Sequence, residues 1–410
     1  MEVGENQLAD RRDFLDTAMK VVMLGSFGLY PKGTISYRAV PLAKALANLG
    51  HQVTVITVPW DNPADSGRMA IAGGVDIINI KLPPRLPIVW YWHATYRLLR
   101  QALALNPEVV HVFKPKAFAG LAAFLLWWAR RMHLLNLKLV VDSDDWEGQG
   151  GWNKVADYSW PFRLFFTWQE KWLLRHADGI TVASRTLEDM VKALDIAENR
   201  VFYLPNGWSE VVSPLSSINT PAINLGSIPK VLLYTRFFEY DLERLIKVWK
   251  CVLDDMPEAR LLVVGKGLFG EEERLSKLAK EAGIADSLIF TGWIEPQLLG
   301  SYLAAADVAI YPMNDDLLNR AKCPLKLIDL LSAGLPVVAE GVGQVKEYVQ
   351  HQETGILVEP GDVQGFAAEV KRLLRDKALR DRLGHRAKAK MKVEYDWNRL
   401  AQTVHQVYLS

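Results

Sequence analysis

Residues 322–338 combine residue types suited to holding a phosphorylated ligand. They read Lys-Cys-Pro-Leu-Lys-Leu-Ile-Asp-Leu-Leu-Ser-Ala-Gly-Leu-Pro-Val-Val. Pro324 suits the first position of a helix, and the amides around it would lie at the positive end of the helix dipole, where phosphate binds well. Lys326 and Asp329 are three residues apart and therefore share one helix face. The segment predicts a helix that offers a phosphate site and a carboxylate for an attached polyhydroxyl group, followed by a buried strand. Taken alone, it also fits an amphipathic helix with a solvated Lys–Asp pair.

A second candidate for chemistry is the acidic run at residues 141–148, Val-Asp-Ser-Asp-Asp-Trp-Glu-Gly. Three aspartates in four residues, Asp142, Asp144 and Asp145, offer hard oxygen ligands that suit magnesium or manganese. The same side chains also suit the cap of a helix or turn. Both interpretations remain open from the run itself.

Composition restricts the classes of protein that come into question. A chain of 410 residues predicts about two domains, and with 50% hydrophobic and 23% charged residues it is globular in type. A net charge of +1 argues against a general polyanion binder, so nucleic acid is not an expected partner. The two cysteines, Cys251 and Cys323, are far apart and suggest neither a disulfide framework nor a zinc site. A reducing, cytoplasmic location fits this pattern.

The first 19 residues carry several acidic side chains and no central apolar run, so we expect a tail or extra helix rather than a secretory signal or anchor. The longest apolar run, residues 117–129, is shorter than the roughly 20 residues needed to span a bilayer. No transmembrane segment is expected.

Short β-rich runs alternate with helical patterns along the whole chain, which predicts parallel sheets covered by helices. The predicted strands are 20–25, 52–57, 75–81, 109–113, 138–142, 179–182, 201–204, 231–234, 260–264, 288–291, 308–311, 336–339 and 355–358. A Ser-, Pro-, Asn- and Gly-rich stretch without periodicity, 213–229, divides the chain and predicts a linker. We therefore expect domains at 20–212 and 230–392, two doubly wound Rossmann-like sheets with a ligand cleft between them.

Several motifs stand in a characteristic order along the chain. They are residues 25–33 after the first strand, 42–55, 170–184, Pro205-Asn-Gly207, Tyr234-Thr-Arg236, 259–267, Thr291-Gly292, Ala306-Asp307 and 324–338. In order and spacing they resemble the retaining glycosyltransferases of family 4 (glycosyl transferases group 1), which have the GT-B fold. The resemblance extends from Lys20 to the C-terminus, and it implies that a final helix, 393–410, crosses back to the first domain.

The resemblance implies a donor site for a nucleotide diphosphate sugar. Arg236 matches the family arginine that contacts the donor phosphates, for which guanidinium offers paired donors, although a salt bridge to Glu239 or Asp241 is an alternative. Asp329 stands where the family has its ribose-binding glutamate. The expected donor-binding residues are Lys32, Gly33, Thr34, Arg236, Gly265, Lys266, Gly292, Trp293, Arg320, Lys322, Pro324, Leu325, Lys326 and Asp329.

Three departures from the family pattern affect the expected chemistry. The usual lysine after Arg236 is missing, so Lys326, Arg320 or Lys322 must supply that cation. The first of the paired donor-site glutamates falls at Ala321. Asp144 occupies the position of the family histidine near the sugar. We expect Asp144, Arg236 and Lys326 to be catalytic and Asp145 and Trp146 to bind the acceptor, with neither metal nor other cofactor required.

The sequence thus predicts a retaining glycosyltransferase that moves a hexose to an acceptor hydroxyl; the alternative is a non-catalytic nucleotide-sugar-binding homologue. Residues 77–141 contain nine Lys and Arg against the single acidic Glu108, interleaved with aromatic residues. Such a composition is typical of surfaces that lie on anionic membrane. We therefore expect a glycan, lipid-linked or small-molecule acceptor and a peripheral association with the inner face of the membrane. Core packing of the aromatic residues is the alternative.

Overall fold

The computed structural model describes residues 18–30, 33–84, 89–208 and 226–410. Most of the predicted N-terminal tail, Lys32, Arg85 and residues 213–225 of the predicted linker lie outside the described residues. By its internal contacts the chain divides into two units. The first comprises the described residues up to Gly207 with Ala321–Cys323 and Trp397–Ser410, and the second comprises the described residues of Trp208–Arg320 with Pro324–Asp396.

The first unit contains an eight-stranded sheet among the described residues, with the order β3-β4-β2-β1-β5-β6-β7-β8. Its strands are β1 Lys20–Gly25, β2 Gln52–Thr57, β3 Met69–Ala72, β4 Val75–Asn79, β5 Val109–Phe113, β6 Lys138–Ser143, β7 Gly179–Val182 and β8 Val201–Tyr203. Its helices are α1 Val40–Asn48, α2 Val89–Leu103, α3 Ala117–Arg131, α4 Trp160–His176 and α5 Arg185–Lys192. The strands are parallel except β3, which runs antiparallel to β4.

Strand β3 is the element that the sequence pattern missed. Its residues Met-Ala-Ile-Ala are largely exposed, so they show neither a buried run nor an alternation of apolar and polar positions. The turn into β4 is Gly73-Gly74, with φ of +59° and +78°, a conformation that glycine adopts without steric cost. Except for β8, the other strands of this sheet are buried over most of their length, as expected where helices cover both faces of a parallel sheet.

The second unit contains a six-stranded parallel sheet in the described residues, with the order β11-β10-β9-β12-β13-β14. The strands are β9 Lys230–Tyr234, β10 Arg260–Val264, β11 Leu288–Gly292, β12 Val308–Tyr311, β13 Val337–Glu340 and β14 Ile356–Val358. The helices are α6 Leu242–Leu253, α7 Glu271–Glu281, α8 Pro296–Ala305, α9 Leu317–Ala321, α10 Leu325–Ser332, α11 Val345–Tyr348, α12 Val363–Arg375 and α13 Lys377–Glu394. Each predicted strand has its counterpart within one or two residues, so the expected fold class of two doubly wound sheets is confirmed.

Each unit has its own hydrophobic core. In the second unit Trp249, 1% exposed, packs in a cluster with residues of β9, β10 and α12. In the first unit the C-terminal helix α14, Trp397–Leu409, packs with α1 and contributes Val404 and Val407 to the cluster. None of the described helices is long and apolar enough to cross a membrane.

Candidate functional site

The second unit has a topological switch point between β9 and β12, where neighbouring strands lead to connections in opposite directions. Ligands of open α/β sheets bind outside the carboxyl ends of the strands at such a point. A concavity lies there, lined by Leu233, Tyr234, Thr235, Glu239, Tyr240, Tyr311, Pro312 and Lys326. It encloses only about 10 Å³, room for about one water molecule. The greater part of a nucleotide held here would therefore lie outside this concavity.

Helix α10 brings two expected donor-site residues to this end of the sheet. It begins at Leu325, one residue later than predicted, and Pro324 is the residue that precedes it. The Lys326 ammonium lies 4.1 Å from the centre of the Tyr234 ring. One turn on, burial raises the pKa of Asp329 to about 7, and Lys326 acts in the opposite direction. The helix therefore places a cation and a half-buried carboxyl group together.

Arg236 follows β9 and has an exposed side chain. Its guanidinium carbon lies 5.6 Å from the centre of the Phe238 ring. Among the described residues it forms no ion pair, so the alternative of a bridge to Glu239 or Asp241 is not found. The preceding Thr235 turns the chain, since its hydroxyl accepts the N–H of Phe237, whose φ is +70°. Arg236 is thus accessible to an anionic ligand.

Gly265, the residue after β10, packs closely against the residue after β9, whereas a Cβ on Gly292, at the end of β11, would meet no atom within 4 Å. A Cβ on Gly265 would lie 2.0 Å from the Thr235 carbonyl oxygen, and its φ is +131°. Its N–H donates to the carbonyl of Gly292 at 3.1 Å. Trp293, 68% exposed, follows Gly292 directly, and Lys266 is exposed. Gly265 therefore has a packing reason of its own, besides any contact with a donor.

Two of the candidate cations have other surroundings. Arg320 is exposed and pairs with Asp315 through two hydrogen bonds of 2.5 and 2.8 Å. Lys322 belongs to the first unit, where its ammonium lies 6.0 Å from the Trp152 ring centre. Of the cations proposed to replace the missing lysine, Lys326 is the one that lies at the switch point of the second unit.

The first unit contains a buried group of opposite charges that we call the lysine–carboxylate cluster: Lys114, Lys116, Asp144, Asp145 and Glu147. Lys114 pairs with Asp145 at 2.6 Å, and lies 3.6 Å from Asp144 and 3.8 Å from Glu147. Lys116 pairs with Glu147 at 2.5 Å. Burial lowers the pKa of Lys114, but the three carboxylates raise it more, so this lysine stays charged.

Asp144 is the member of the cluster that the sequence analysis assigned to the sugar. Its Oδ2 accepts the hydroxyl of Thr34 at 3.2 Å, which brings two predicted site residues together. Its buried Oδ1 has no hydrogen-bond partner among the described residues. Burial raises the pKa of Asp144 to about 7, while Lys114 acts to lower it. Burial thus holds the pKa of this carboxyl group well above the usual value of an aspartate.

Asp142 and Asp145 have separate partners. Arg38 donates two hydrogen bonds to Asp142, of 2.7 and 2.6 Å, and both side chains are fully buried. Burial raises the pKa of Asp145, but the charge and hydrogen bond of Lys114, together with the charge of Lys322, lower it more. In the part of the chain that the structure describes, no group of three or more His, Cys, Asp or Glu could hold a metal ion. Asp142 is thus a partner of Arg38 rather than a cap.

Trp146 and Gly33 have roles in packing. Trp146 is 5% exposed, its N–H donates to the carbonyl of Gln149 at 3.2 Å, and a Cβ on Gly151 would lie 1.9 Å from its carbonyl oxygen. A Cβ on Gly33 would lie 2.7 Å from the Tyr37 ring. The expected contact of Trp146 with an acceptor remains a prediction; in this structure the indole supports the loop that holds Asp144 and Asp145.

Residues 77–141 expose fewer free cations than the nine Lys and Arg counted in the sequence. Lys114 and Lys116 are buried in the lysine–carboxylate cluster. Arg130 pairs with Asp178, and Lys138 donates to carbonyl groups of α14. The count missed this because a lysine at the end of a strand gives no sign of whether it points to water or to carboxylates. The same ambiguity concealed the structural importance of Lys114.

Another concavity, of about 630 Å³, lies on the second unit beside α12. Its lysine and arginine side chains are already engaged, since Lys371 and Arg375 lie 2.6 and 3.8 Å from Asp255. It contains none of the predicted site residues.

Two family models match the chain. Residues 33–207 match the glycosyl transferase 4-like domain, and residues 224–390 match glycosyl transferases group 1. The two matches correspond closely to the two units.

Similar curated proteins include a glycogen synthase of Mycobacterium tuberculosis, 26% identical over 395 residues, which cover 90% of this chain and 89% of that protein. A sulfoquinovosyl transferase of Arabidopsis thaliana is 29% identical over 248 residues, 57% of this chain and 46% of that protein. The chain thus matches about half the length of the latter relative.

Among solved structures, sucrose-phosphate synthase from Thermosynechococcus elongatus has a TM-score of 0.70 at 22% identity, covering 95% of this chain and 98% of that one. The Anabaena protein Alr3699/HepE, solved in complex with UDP, has a TM-score of 0.66 at 16% identity, covering 95% and 99%. These likenesses confirm the fold expected from the sequence. The chain belongs to the glycosyltransferases of the group 1, family 4 type and has the GT-B fold.

Proposed function

We propose that this protein is a retaining glycosyltransferase that transfers a hexose from a nucleotide diphosphate sugar to an acceptor hydroxyl. The observation that carries the proposal is the start of α10, where Lys326 lines the concavity at the switch point of a doubly wound sheet and Asp329 follows one helical turn later. Membership of the family supports a nucleotide-sugar donor. The UDP complex of Alr3699/HepE makes uridine diphosphate the first nucleotide to test.

The donor diphosphate would be held by Lys326, Arg236 and the backbone amides near Pro324 and Leu325. Arg236 is exposed and has no ion pair among the described residues, so binding an anion would break no existing bridge. Positive groups placed where negative charge develops are the main electrostatic contribution to such a step. Asp329 would accept hydroxyls of the ribose. Lys32, Gly33, Thr34, Gly265, Lys266, Gly292, Trp293, Arg320 and Lys322 remain candidates for further donor contacts.

In the proposed reaction the bond between the anomeric carbon and the diphosphate oxygen breaks, and the acceptor oxygen bonds to that carbon on the same face. The acceptor proton passes to the leaving phosphate oxygen, so no covalent enzyme intermediate is required. Asp144, as a carboxylate, would stabilise the positive charge that develops at the anomeric carbon. Asp145 and Trp146 remain candidates for acceptor binding, and no metal or other cofactor is invoked.

We also propose that the acceptor is presented at an anionic membrane surface on the cytoplasmic side. The support is the composition of residues 77–141, of which Trp92, Tyr96 and Trp128 are 55%, 61% and 45% exposed. Arg100 and Arg131 are exposed as well. A glycan or small-molecule acceptor in solution would need no such surface.

The rival function is a nucleotide-sugar-binding protein without catalysis, since a lysine, a glutamate and a histidine of the family pattern are missing. The two cases differ in turnover. Purified protein that slowly hydrolyses a UDP- or GDP-sugar is an enzyme, whereas binding without hydrolysis or transfer under any acceptor condition would favour the rival.

A titration with nucleotides tests the donor site. We expect UDP, GDP or ADP to bind wild-type protein, and Lys326→Ala to weaken that affinity at least tenfold with the fold intact, because a phosphate partner is lost. Isothermal titration calorimetry gives the dissociation constants. Lys247→Ala, an exposed lysine of α6 away from the switch point, is the matched control. An unchanged dissociation constant for Lys326→Ala would count against this site.

A further inference from the structure

Helix α4 presents a stripe of large apolar side chains to solvent. Trp160, Leu164 and Trp168 are 73%, 64% and 46% exposed and follow one another at intervals of four residues, so they share one helix face. Phe165, 37% exposed, stacks on Trp168 with ring centres 5.9 Å apart. We call these four residues the α4 stripe. It lies outside residues 77–141 and was not anticipated from the charge count.

The α4 stripe is the outer side of a well-packed helix. On the inner side Phe166, Leu173 and Leu174 are buried. Trp172 packs against two aromatic rings of α3, Phe124 at 4.8 Å and Trp127 at 5.1 Å between ring centres. Other side chains of α4 thus pack the helix against its unit. The α4 stripe is not needed for that packing and remains exposed.

The exposed charged side chains within α4 are positive, although the exposed Asp157 stands three residues before the helix. The single carboxylate within α4 is Glu170, which is buried, whereas Arg163 and Arg175 are exposed. Next to them in the same unit, the end of α3 exposes Arg131 beside Trp128 and Met132. Exposed Trp, Phe and Leu with Arg between them is the composition of helices that lie in the interface of a bilayer with anionic lipid.

We propose that the α4 stripe is the part of this protein that docks on an anionic lipid bilayer. Charge complementarity favours lipid over a second copy of the chain, because two like stripes would bring Arg163 and Arg175 of both copies together, and cores of protein interfaces are depleted in charged residues. The tryptophan rings would lie at the level of the headgroups, as amphipathic aromatic side chains do. This inference deepens the membrane part of the proposed function and is independent of the sugar chemistry.

Vesicle flotation tests the proposal with the full-length protein. We expect wild-type protein to float with phosphatidylcholine vesicles that contain phosphatidylglycerol at low salt, and to float less without the anionic lipid. The triple variant W160S/L164S/W168S should bind the vesicles at least about tenfold more weakly than wild type, since interfacial binding scales with buried apolar area. The matched control is M69S/I71S on β3, two side chains of the same unit that are 69% and 78% exposed, which should bind like wild type.

A second variant separates charge from apolar contact. R163Q/R175Q should weaken binding about fivefold for each arginine, because a surface cation contributes about 1 kcal/mol, and the loss should disappear at high salt. All variants should keep the wild-type melting temperature, since the changed side chains are exposed.

Equal flotation of the stripe variant and the β3 control would overturn the proposal. So would light scattering in which wild-type protein is a dimer that ignores vesicles and the stripe variant is a monomer, because the stripe would then bind a second copy. Nucleotide affinity and donor hydrolysis measured without vesicles should be unchanged in the stripe variant. The docking proposal can therefore fail while the proposed sugar transfer stands. Equally, the protein can bind vesicles through the α4 stripe even if the proposed donor site is wrong.

Discussion

Lys114 has two unusual properties for a lysine. Its φ is +57°, in the left-handed region that non-glycine residues seldom adopt, and its side chain is 10% exposed among three carboxylates. Isolated buried charge is costly, so the charge of Lys114 offsets the cost of burying the carboxylates around it. Lys114 therefore holds the loop of Asp144 and Asp145 in the place where the family has its histidine-bearing loop.

Replacing Lys114 by methionine should destabilise the protein by about 3–5 kcal/mol, the cost of removing one partner of a buried ion pair. Urea unfolding monitored by tryptophan fluorescence measures this. Lys154→Met, at an exposed lysine of the same unit, is the control and should change stability by less than about 0.5 kcal/mol.

A second substitution distinguishes lost charge pairing from lost packing. Asp145→Asn added to Lys114→Met should recover part of the stability, since it removes one of the unpaired negative charges. If Lys114→Met unfolded at the same urea concentration as Lys154→Met, the cluster would not depend on this lysine.

At the residue scale the sequence predicts what lies on one continuous segment. Lys326 and Asp329 are three residues apart, and a helix fixes their common face. Arg236 follows a strand, so its place at the carboxyl end was predictable too. Lys114 and Asp144 are thirty residues apart, and only the pairing of β5 with β6 brings them together. Their contact could not be predicted from types and spacing.

Among the elements, α14 shows how buried histidines attach a helix to a sheet. The Met19 N–H donates to His51 Nδ1, so Nε2 of His51 carries the proton and donates to His405 Nδ1 at 2.9 Å. Nearby, His111 Nδ1 lies 2.9 Å from the Tyr408 hydroxyl. Burial, and for His51 the neighbouring His405, lowers the pKa of His51 and of His111 to about 4.

These histidines predict a loss of stability in acid. In the unfolded chain a histidine takes up a proton near pH 6.5, whereas in the folded protein these two do so only near pH 4. The unfolded state therefore binds more protons between those values, and the free energy of unfolding falls as the pH falls through that window. Each histidine contributes a slope of up to about 1.4 kcal/mol per pH unit.

The substitution His51→Gln tests this, because its amide can accept from Met19 and donate to His405. We expect the variant to have a free energy of unfolding near that of wild type at pH 7.5. Between pH 6.5 and 4.5 it should lose less stability than wild type, by the contribution of one histidine. Urea unfolding at several pH values gives the slopes. His133→Gln, at an exposed histidine, serves as the control; an unchanged slope in His51→Gln would show that this pair does not titrate as described.

Element boundaries were predictable where burial is uniform. The buried strands were predicted from short runs rich in Val, Ile and Leu, and the helix before β13 was predicted from Pro324 at its start and from the spacing of Lys326 and Asp329. Strand β3 was missed because it has only four residues and its side chains, Met69 and Ile71 among them, are exposed, whereas the prediction relied on longer runs that are buried. The α4 stripe was missed for the opposite reason: apolar residues in a helix are ordinarily assigned to the core, and only the structure shows which side they face.

At the scale of the whole molecule, the chain has two sheets with separate hydrophobic cores. A ligand that binds one folded unit stabilises that unit by mass action, and at 100 times the dissociation constant the gain is about 2.7 kcal/mol. The unit that binds the ligand can thus be identified as the one whose core amides exchange more slowly when the ligand is present. The proposed donor site assigns the nucleotide to the second unit.

Hydrogen exchange with mass spectrometry measures that protection in the intact protein. With UDP at about 100 times its dissociation constant, amides of β9 and β12 that exchange through opening of the second unit should slow by about 100-fold. Uridine at the same concentration should protect much less, because it lacks the diphosphate that Lys326 and Arg236 would bind. Lys326→Ala should lose most of the UDP effect. Slowing confined to β1–β8, or equal slowing in Lys326→Ala, would place the diphosphate elsewhere, since a bound nucleotide cannot protect a core to which it contributes no binding free energy.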